Sequence, residues 1–254
     1  MDEALDATSG PSAGGRPAFY AAGPGRWRDC WTLLHPPYTA WHLSYVVIGA
    51  CLAPTVNATI LVGTLLAFFL AVGVAAHALD ELHGRPLGTA IPSSALIGAA
   101  VVGLAGAVAL GIAGVVEIGW PLAPFLVVGP VLVVVYDFEL FGGVLHNDIG
   151  FALSWGAYPV LTAYVAQTSS LSWAAALAAG GALALSAAQR ALSTPARSLR
   201  RRAATVGGHV GLRDGGTVLL DRGKLLAPLE RALRAMSASV ILLASGLALA
   251  RFVG

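Results

Sequence analysis

Long apolar stretches separated by short polar segments dominate this chain. Seven of these stretches approach the roughly 20 residues that a helix needs to cross the hydrocarbon core of a bilayer. They cover 41–56, 58–79, 92–116, 120–138, 150–167, 170–189 and 237–253. Glycine and alanine are frequent within them, which favours close packing of helices in a membrane. The pattern predicts an all-α integral membrane protein, a bundle of about seven transmembrane helices.

The segments between and around these stretches predict the rest of the organisation. We expect a disordered N-terminal lead over 1–25, the transmembrane bundle over 26–190, a basic cytoplasmic segment over 191–236 and the final transmembrane helix over 237–254. The lead is rich in serine, glycine and proline and lacks the apolar core of a cleavable signal peptide. Within the basic segment, 203–223 alternate around an Asp-Gly-Gly turn and predict a hairpin or loop. Residues 224–236 predict an amphipathic segment lying on the membrane surface.

Composition agrees with a membrane protein and excludes an ordinary soluble domain. Hydrophobic residues make up 57% of the 254 residues, charged residues make up 11%, and mean hydropathy is +0.76. No nucleic-acid-binding motif occurs, and the expected partner is the lipid bilayer. The oligomeric state stays open. We expect no disulfide between Cys30 and Cys51, because one lies at the membrane interface and the other within a span.

The distribution of charge says more than its net value of +2. Arginines occur before the first span, after the second and after the sixth: Arg26, Arg28, Arg85, Arg190, Arg197, Arg200, Arg201 and Arg202. The connections on the other side are short and contain no lysine or arginine. Because cytoplasmic loops carry the excess of basic residues, we predict a plasma-membrane protein whose N-terminus lies in the cytoplasm.

Potential metal ligands gather where the second predicted span ends, in "AHALDELHGRP", residues 76–86. Spacings of i,i+3 and i,i+4 place His77, Asp80 and Glu81 on one helical face. Ionisable groups near membrane depth are costly, tend to face the interior of a bundle and mark functional sites. We therefore predict His77, Asp80 and Glu81 as catalytic residues.

Further candidates lie at the same predicted level. The fourth span ends in "VVYDFELFGGVLHND", residues 134–148, and the first span begins close to His42. The predicted metal ligands are His42, His77, Asp80, Glu81, Glu139 and His146, a mixture of imidazole and carboxylate that suits Fe, Zn or Mn. The predicted substrate-binding residues are Arg85, Tyr136 and Asp148. For His83, Asp137 and Asp148 the simpler interpretation also stands, namely that they lie where helices emerge into water.

Three quoted segments carry a family resemblance: "WTLLHPPYTAWHLSYVVIGACLAP", "AAHALDELHGRP" and "YDFELFGGVLHNDIGFALSWGAYPVLTAYVAQTSSLSW". Over roughly 31–190 the chain resembles the UbiA superfamily of intramembrane prenyltransferases. In that family the second helix ends in an Asn-Asp-x-x-Asp motif that holds magnesium and an isoprenyl diphosphate. Here Ala76, His77 and Asp80 occupy the three motif positions. The resemblance implies a UbiA-like bundle, magnesium, and prenyl transfer or the related cyclisation.

The chain also departs from that family. The family carries a second Asp-rich motif after its sixth helix, whereas this chain reads "AQRALSTPARSLRRR" there, without a carboxylate. Two of the usual nine helices are absent from the predicted set. Magnesium prefers oxygen ligands, so His77 at a motif position argues against a family-type magnesium site.

Three hypotheses therefore stay open. The first is an enzyme that transfers or cyclises an isoprenoid, in which Asp80 and Glu81 hold the metal, His77 is a ligand or the general base, and Arg85 with 197–202 offsets a diphosphate. The second keeps the scaffold and uses a transition metal to oxidise or hydrolyse a membrane lipid. The third is a non-catalytic scaffold or transporter.

Overall fold

The structure, a computed structural model, describes residues 16–23 and 25–253. Most of the predicted N-terminal lead, residues 1–15 and Pro24, lies outside the described residues. The helices are Arg26–Leu33 (α1), Pro36–Cys51 (α2), Ala58–Leu82 (α3), Ser93–Ile118 (α4), Trp120–Asp137 (α5), Asp148–Thr168 (α6), Trp173–Arg201 (α7) and Arg222–Phe252 (α8). The described chain is therefore predominantly helical, as the apolar pattern predicts.

Six of these helices, α3 to α8, are long and apolar enough to cross a membrane. They suggest an integral membrane protein in a lipid bilayer. The predicted first span, 41–56, corresponds to α2, which begins earlier because Pro36 suits the first turn of a helix, where its missing N–H needs no partner. At 16 residues α2 is about 24 Å long, shorter than the hydrocarbon core of a bilayer.

The segment between α7 and α8 forms an antiparallel hairpin of Gly207–Gly211 (β1) and Thr217–Asp221 (β2). Its turn contains the Asp-Gly-Gly triplet, and Gly215 adopts the positive φ of 85° that this turn requires. The predicted hairpin is thus confirmed. The predicted surface segment 224–236 instead continues into the last apolar stretch as the single helix α8, because no glycine or proline interrupts residues 229–245.

Successive helices alternate in direction, so their ends collect at two levels. At one level, here called the far end, Arg251 Nε donates to the Cys51 carbonyl at 3.0 Å and Ser169 Oγ donates to the Ile118 carbonyl at 3.2 Å. The opposite level, here called the polar end, contains the start of α2, the ends of α3, α5 and α7, and the start of α6. The structure thus brings together the segments that the sequence placed at one depth.

α6 is the central helix of the bundle: 72% of its apolar window is buried, against 11% in α4. Small residues let its neighbours approach. A Cβ at Gly49 of α2 would overlap the backbone of Val160, and one at Gly156 would overlap the backbone of Ala182 in α7. Two sections wind as π-helix, Phe69–Ala76 within α3 and Leu153–Ala157 within α6. Such sections are rare and are often found at functional sites.

Candidate functional site

A cavity of about 390 Å³ opens at the polar end of the bundle, enclosed by residues 17–20 and by α2, α3, α5, α6, α7 and α8. Four of the six histidines of the chain line it: His35, His42, His77 and His146. Three carboxylates, three tyrosines and five arginines are also part of its polar wall: Asp80, Asp137, Glu230, Tyr20, Tyr38, Tyr136, Arg190, Arg197, Arg200, Arg201 and Arg202. We call this space the polar cavity.

The polar cavity brings together five of the residues predicted from the sequence: His42, His77, Asp80, Tyr136 and His146. They come from three helices, α2, α3 and α5, and from the loop that follows α5, and topology alone placed them at one level. The other four predicted residues, Glu81, Arg85, Glu139 and Asp148, do not line the polar cavity.

Glu81 is fully buried and faces the loop that follows α3. Its carboxylate accepts hydrogen bonds from the backbone N–H of Leu87 at 2.9 Å and of Thr89 at 2.8 Å, and from the Thr89 hydroxyl at 2.9 Å. Consecutive residues of an α-helix point about 100° apart, so Asp80 reaches the polar cavity while Glu81 points to the loop. The geometry gives Glu81 a structural role in holding this loop.

Arg85 and Asp148 also have partners outside the polar cavity. Arg85 donates to the Ile91 carbonyl and to the Ser93 hydroxyl, both at 2.6 Å, and so closes the same loop. Asp148 is 74% exposed and pairs with Arg190, whose Nε lies 2.7 Å from its Oδ1. Both residues therefore support the wall of the site and do not face its interior.

Glu139 lies where the chain leaves α5. Its φ is +50°, and positive φ values follow at Phe141, Gly142 and Gly143, so the helix does not continue toward His146. The Glu139 carboxylate is half-exposed and lies 3.8 Å from His146 Nε2. The two predicted ligands are neighbours, but His146 alone faces the polar cavity.

Three histidines of the polar cavity share one hydrogen-bonding pattern. Nδ1 of His42 lies 2.8 Å from the Trp155 carbonyl, and Nδ1 of His77 lies 3.1 Å from the Gly73 carbonyl. Nδ1 of His146 lies 3.1 Å from the carbonyl of the adjacent Tyr136. Since a carbonyl oxygen only accepts, each Nδ1 carries a proton, and the neutral form of each ring therefore has its lone pair on Nε2. Trp155 and Gly73 belong to the two π-helical sections.

His35, directly before α2, completes the imidazole group. Its ring stacks on His77 with centroids 4.2 Å apart and planes 22° apart. Burial lowers the pKa of His35 well below its usual range, and the adjacent His77 ring lowers it further. His35 is therefore neutral at pH 7, and the stack holds the His77 ring in place.

Three polar atoms of the polar cavity are buried without a hydrogen-bond partner among the residues that the structure describes: His35 Nε2, Asp137 Oδ2 and Gln189 Oε1. Leaving one buried polar atom unpaired costs about 1–3 kcal/mol. Such atoms are rare in native proteins, and several in one cavity are typical of a site that binds a polar ligand. Asp137, which the sequence left at the water boundary, thus belongs to the candidate site.

The arginines at the end of α7 differ in their partners. Arg190 is bound twice, to Asp148 and, at 2.6 Å, to the Tyr136 hydroxyl. Arg200 pairs with Glu230 of α8 at 2.5 Å. Within residues 16–23 and 25–253, no carboxylate lies within 4.0 Å of Arg197 or Arg201. Arg202 also lines the cavity and has no such partner among the described residues, so the positive charges of these three arginines are not balanced by an adjacent carboxylate.

A second cavity, of about 280 Å³, lies between α3, α4, α5 and α6. Its wall is almost entirely apolar and runs from Glu117 and Ile118 at the far end to Val72 and Trp155 in the π-helical sections. Val72 and Trp155 also line the polar cavity. The two cavities are thus adjacent, separated by these two side chains, and we call the second one the apolar cavity.

The metal-binding prediction stays a prediction. Among the described residues, no three histidine, cysteine, aspartate or glutamate side chains are grouped as metal ligands. Arg197 and Arg201, on the same cavity wall, repel a cation. The donors as arranged do not fit a pair of carboxylate-held magnesium ions, so no step below is routed through a metal.

Sequence reasoning missed His35, Tyr38 and Gln189 as residues of the site, and it named 197–202 as a basic stretch that offsets a diphosphate without singling out Arg197 and Arg201. One signal was available for the arginines. Arg190, Arg197 and Arg201 are spaced i,i+7 and i,i+11, which places them on one side of a helix. For His35, a histidine directly before Pro-Pro at a helix start gives no comparable signal.

The chain was compared with known protein families, curated proteins and solved structures, and none of the three comparisons found a match.

Proposed function

We propose that this chain is a membrane-embedded enzyme that acts on a long-chain lipid with a phosphate-containing headgroup, by prenyl transfer or the related cyclisation. The observation that carries the proposal is the adjacency of the polar and apolar cavities through Val72 and Trp155. A lipid spanning that boundary places its headgroup among the arginines and histidines and its chain between α3 and α6. The resemblance in the sequence supports the same class of substrate.

The residues at the boundary suit the chemistry. In prenyl transfer the allylic C–O bond breaks and its electron pair leaves on a diphosphate oxygen. The acceptor then attacks the allylic carbon and loses a proton. His77 presents an Nε2 lone pair, because its Nδ1–H is bound to the Gly73 carbonyl, and we assign it as the base that takes this proton. Asp80, one turn further along the same helix, is the alternative proton acceptor.

The apolar wall suits a further requirement of this reaction, the exclusion of water. A carbocation survives only where water is excluded from it. The apolar cavity meets this need, because its polar lining is confined to a few side chains such as Thr59 and Glu117. Trp155 and Tyr136 supply aromatic rings at the boundary, with centroids 5.7 Å apart, and aromatic faces stabilise a nearby cation.

A glycine pair provides the test. Gly63 lines the apolar cavity and a Cβ built on it meets nothing within 4 Å, so Gly63→Phe fills cavity space. Gly98 is equally free of neighbours but lies on the exposed surface of α4, and Gly98→Phe is the matched control. Since each buried CH₂ contributes about 0.8 kcal/mol, displacing a few methylenes weakens binding of a long chain by about tenfold or more.

The measurement is binding and turnover of a 20-carbon isoprenyl diphosphate by purified protein in detergent, beside a 5-carbon analogue. We expect Gly63→Phe to weaken binding of the long substrate only, and Gly98→Phe to change neither. If the wild-type protein neither binds nor turns over a long-chain lipid diphosphate, the proposal is wrong.

The transition-metal hypothesis keeps one specific observation in its favour. Metal-binding histidines almost always donate their other ring N–H to a carbonyl or carboxylate, as His42, His77 and His146 do here. Stoichiometric Fe, Zn or Mn in the purified protein, lost in His77→Ala, would favour a lipid oxidase or hydrolase over the transferase.

A further inference from the structure

The last turns of α7 place positive charge where the resembling family places carboxylates. Between residues 190 and 201 this helix contributes four arginines to the lining of the polar cavity and no acidic side chain, and the exposed Arg202 follows directly after the helix. A lipid headgroup in this cavity therefore meets guanidinium groups directly on this side. The four arginines of α7 differ in how many of their N–H groups are free to bind such a headgroup.

Two of the four already form ion pairs and hydrogen bonds with neighbouring groups. Arg190 is held between Asp148 and Tyr136, and Arg200 between Glu230 and the Arg16 carbonyl. These bonds tie α7 to α5, α6, α8 and the N-terminal segment. Arg190 and Arg200 therefore build the wall, and their charge is balanced locally.

Arg197 and Arg201 are not committed in this way. Arg197 donates to the Thr194 hydroxyl at 3.3 Å, and Arg201 donates to the Pro17 carbonyl at 3.1 Å. Each guanidinium has five N–H donors, so both keep donors for another partner. A spacing of i,i+4 places them one turn apart on the same side of α7.

This arrangement suits an anionic headgroup such as a phosphate. Arginine binds phosphate oxygens in a bidentate geometry, and such charge-assisted bonds are about twice as strong as neutral ones. Two adjacent guanidiniums offer the charge and the donors that a diphosphate needs. The buried Gln189 and the ring of His35 lie in the same cavity with polar atoms unpaired in the described part of the chain.

We infer that Arg197 and Arg201 bind the phosphate or diphosphate of the lipid directly, so that headgroup binding does not require a divalent cation. The inference rests on the proposed function for the lipid chain. In this proposal the arginines of α7 supply the positive charge that a carboxylate-held metal would otherwise supply to the headgroup. Arg201 also links the headgroup to the segment Arg16–Tyr20, whose Pro17 carbonyl it holds.

The experiment measures binding of a 15-carbon isoprenyl diphosphate and of the corresponding alcohol to the full chain in detergent, with EDTA throughout. We expect the wild-type protein to bind the diphosphate in EDTA. Arg197→Gln and Arg201→Gln should each weaken that binding about tenfold or more, as expected for the loss of charged hydrogen bonds, and should leave binding of the alcohol unchanged. Arg231→Gln, an arginine on the exposed side of α8, is the control and should change neither.

Lysine variants keep the test valid if a glutamine variant fails to fold. Arg197→Lys and Arg201→Lys retain the charge but lose the bidentate geometry, so we expect a smaller loss of diphosphate affinity. The inference is overturned if EDTA abolishes diphosphate binding or if both arginine variants bind like wild type. If the alcohol and the diphosphate bind equally, the arginines do not bind the headgroup and this inference is wrong, although the proposal that the apolar cavity binds the lipid chain survives. If neither binds, both fail.

Discussion

Glu81 and Asp80 are adjacent in the sequence, and the structure assigns them opposite roles. Glu81→Ala removes the acceptor of two backbone N–H groups, those of Leu87 and Thr89, in a fully buried position. Each buried N–H left unpaired costs about 1–3 kcal/mol, so we expect a loss of about 4 kcal/mol from the two. For a chain of this size, about 3 °C per kcal/mol converts this loss into a fall of about 12 °C in Tm.

The chain carries a natural reporter for this measurement. Cys51 is buried and Cys30 is exposed, and both are free thiols. In a Cys30→Ser background, a thiol-reactive fluorophore therefore reports the unfolding of α2 in detergent. Glu81→Gln keeps one acceptor oxygen but turns an NH₂ group toward a backbone donor, so its Tm should fall between those of wild type and Glu81→Ala.

Asp80→Asn is the matched control, one position away. Asp80 accepts no hydrogen bond from the described residues and faces the polar cavity, so we expect its Tm to stay within about 2 °C of wild type while lipid turnover is lost. The reasoning is refuted if Glu81→Ala keeps the wild-type Tm and abolishes turnover. Glu81 would then act in the site, as the sequence alone predicted.

Two further predictions follow from buried groups of the polar end. Asp137→Asn replaces a carboxylate whose Oδ2 has no partner among the described residues by an uncharged amide, which costs less to bury. It should therefore raise Tm slightly, by about 3 °C for about 1 kcal/mol; a lower Tm would mean that the charge is compensated. The pKa of His35 is lowered in the folded protein, so the unfolded chain binds a proton that the folded chain does not. Stability is therefore complete above the ordinary histidine pKa of about 6.5 and falls as the pH drops below it. Thermal unfolding between pH 7.5 and 5 should show this fall, and His35→Asn should reduce it; an unchanged pH dependence in that variant would assign it to other groups.

The helices could be predicted because a membrane span has a required length and composition. The seven apolar stretches correspond to α2–α8, and the hairpin follows from its Asp-Gly-Gly turn. The boundaries depended on finer chemistry. Pro36 starts α2 five residues before the apolar stretch begins, and α8 extends through a segment whose amphipathic pattern predicted a surface helix.

The sequence predicted the level in the membrane at which the site residues lie, but not which of their side chains face the cavity. Topology places His42, His77 and His146 at one level, and the structure brings all three to one cavity. Whether a side chain at that level faces the cavity depends on packing that the sequence does not show. Arg85 illustrates this, since a left-handed backbone at φ 53° turns it toward its own loop.

Two differences between this chain and the family that it resembles change the charge of the site. A diphosphate needs positive charge around it, and that charge comes either from a metal held by carboxylates or from guanidinium groups. Where the resemblance puts an aspartate of the first motif, this chain has His77, and an imidazole brings no negative charge to offset a divalent cation. At the second, Arg197 and Arg201 supply positive charge themselves. Both replacements leave fewer negatively charged ligands for a cation, and the second adds positive charge that can bind an anion. Under the proposed function they therefore act in the same direction, toward direct recognition of a phosphate by the protein.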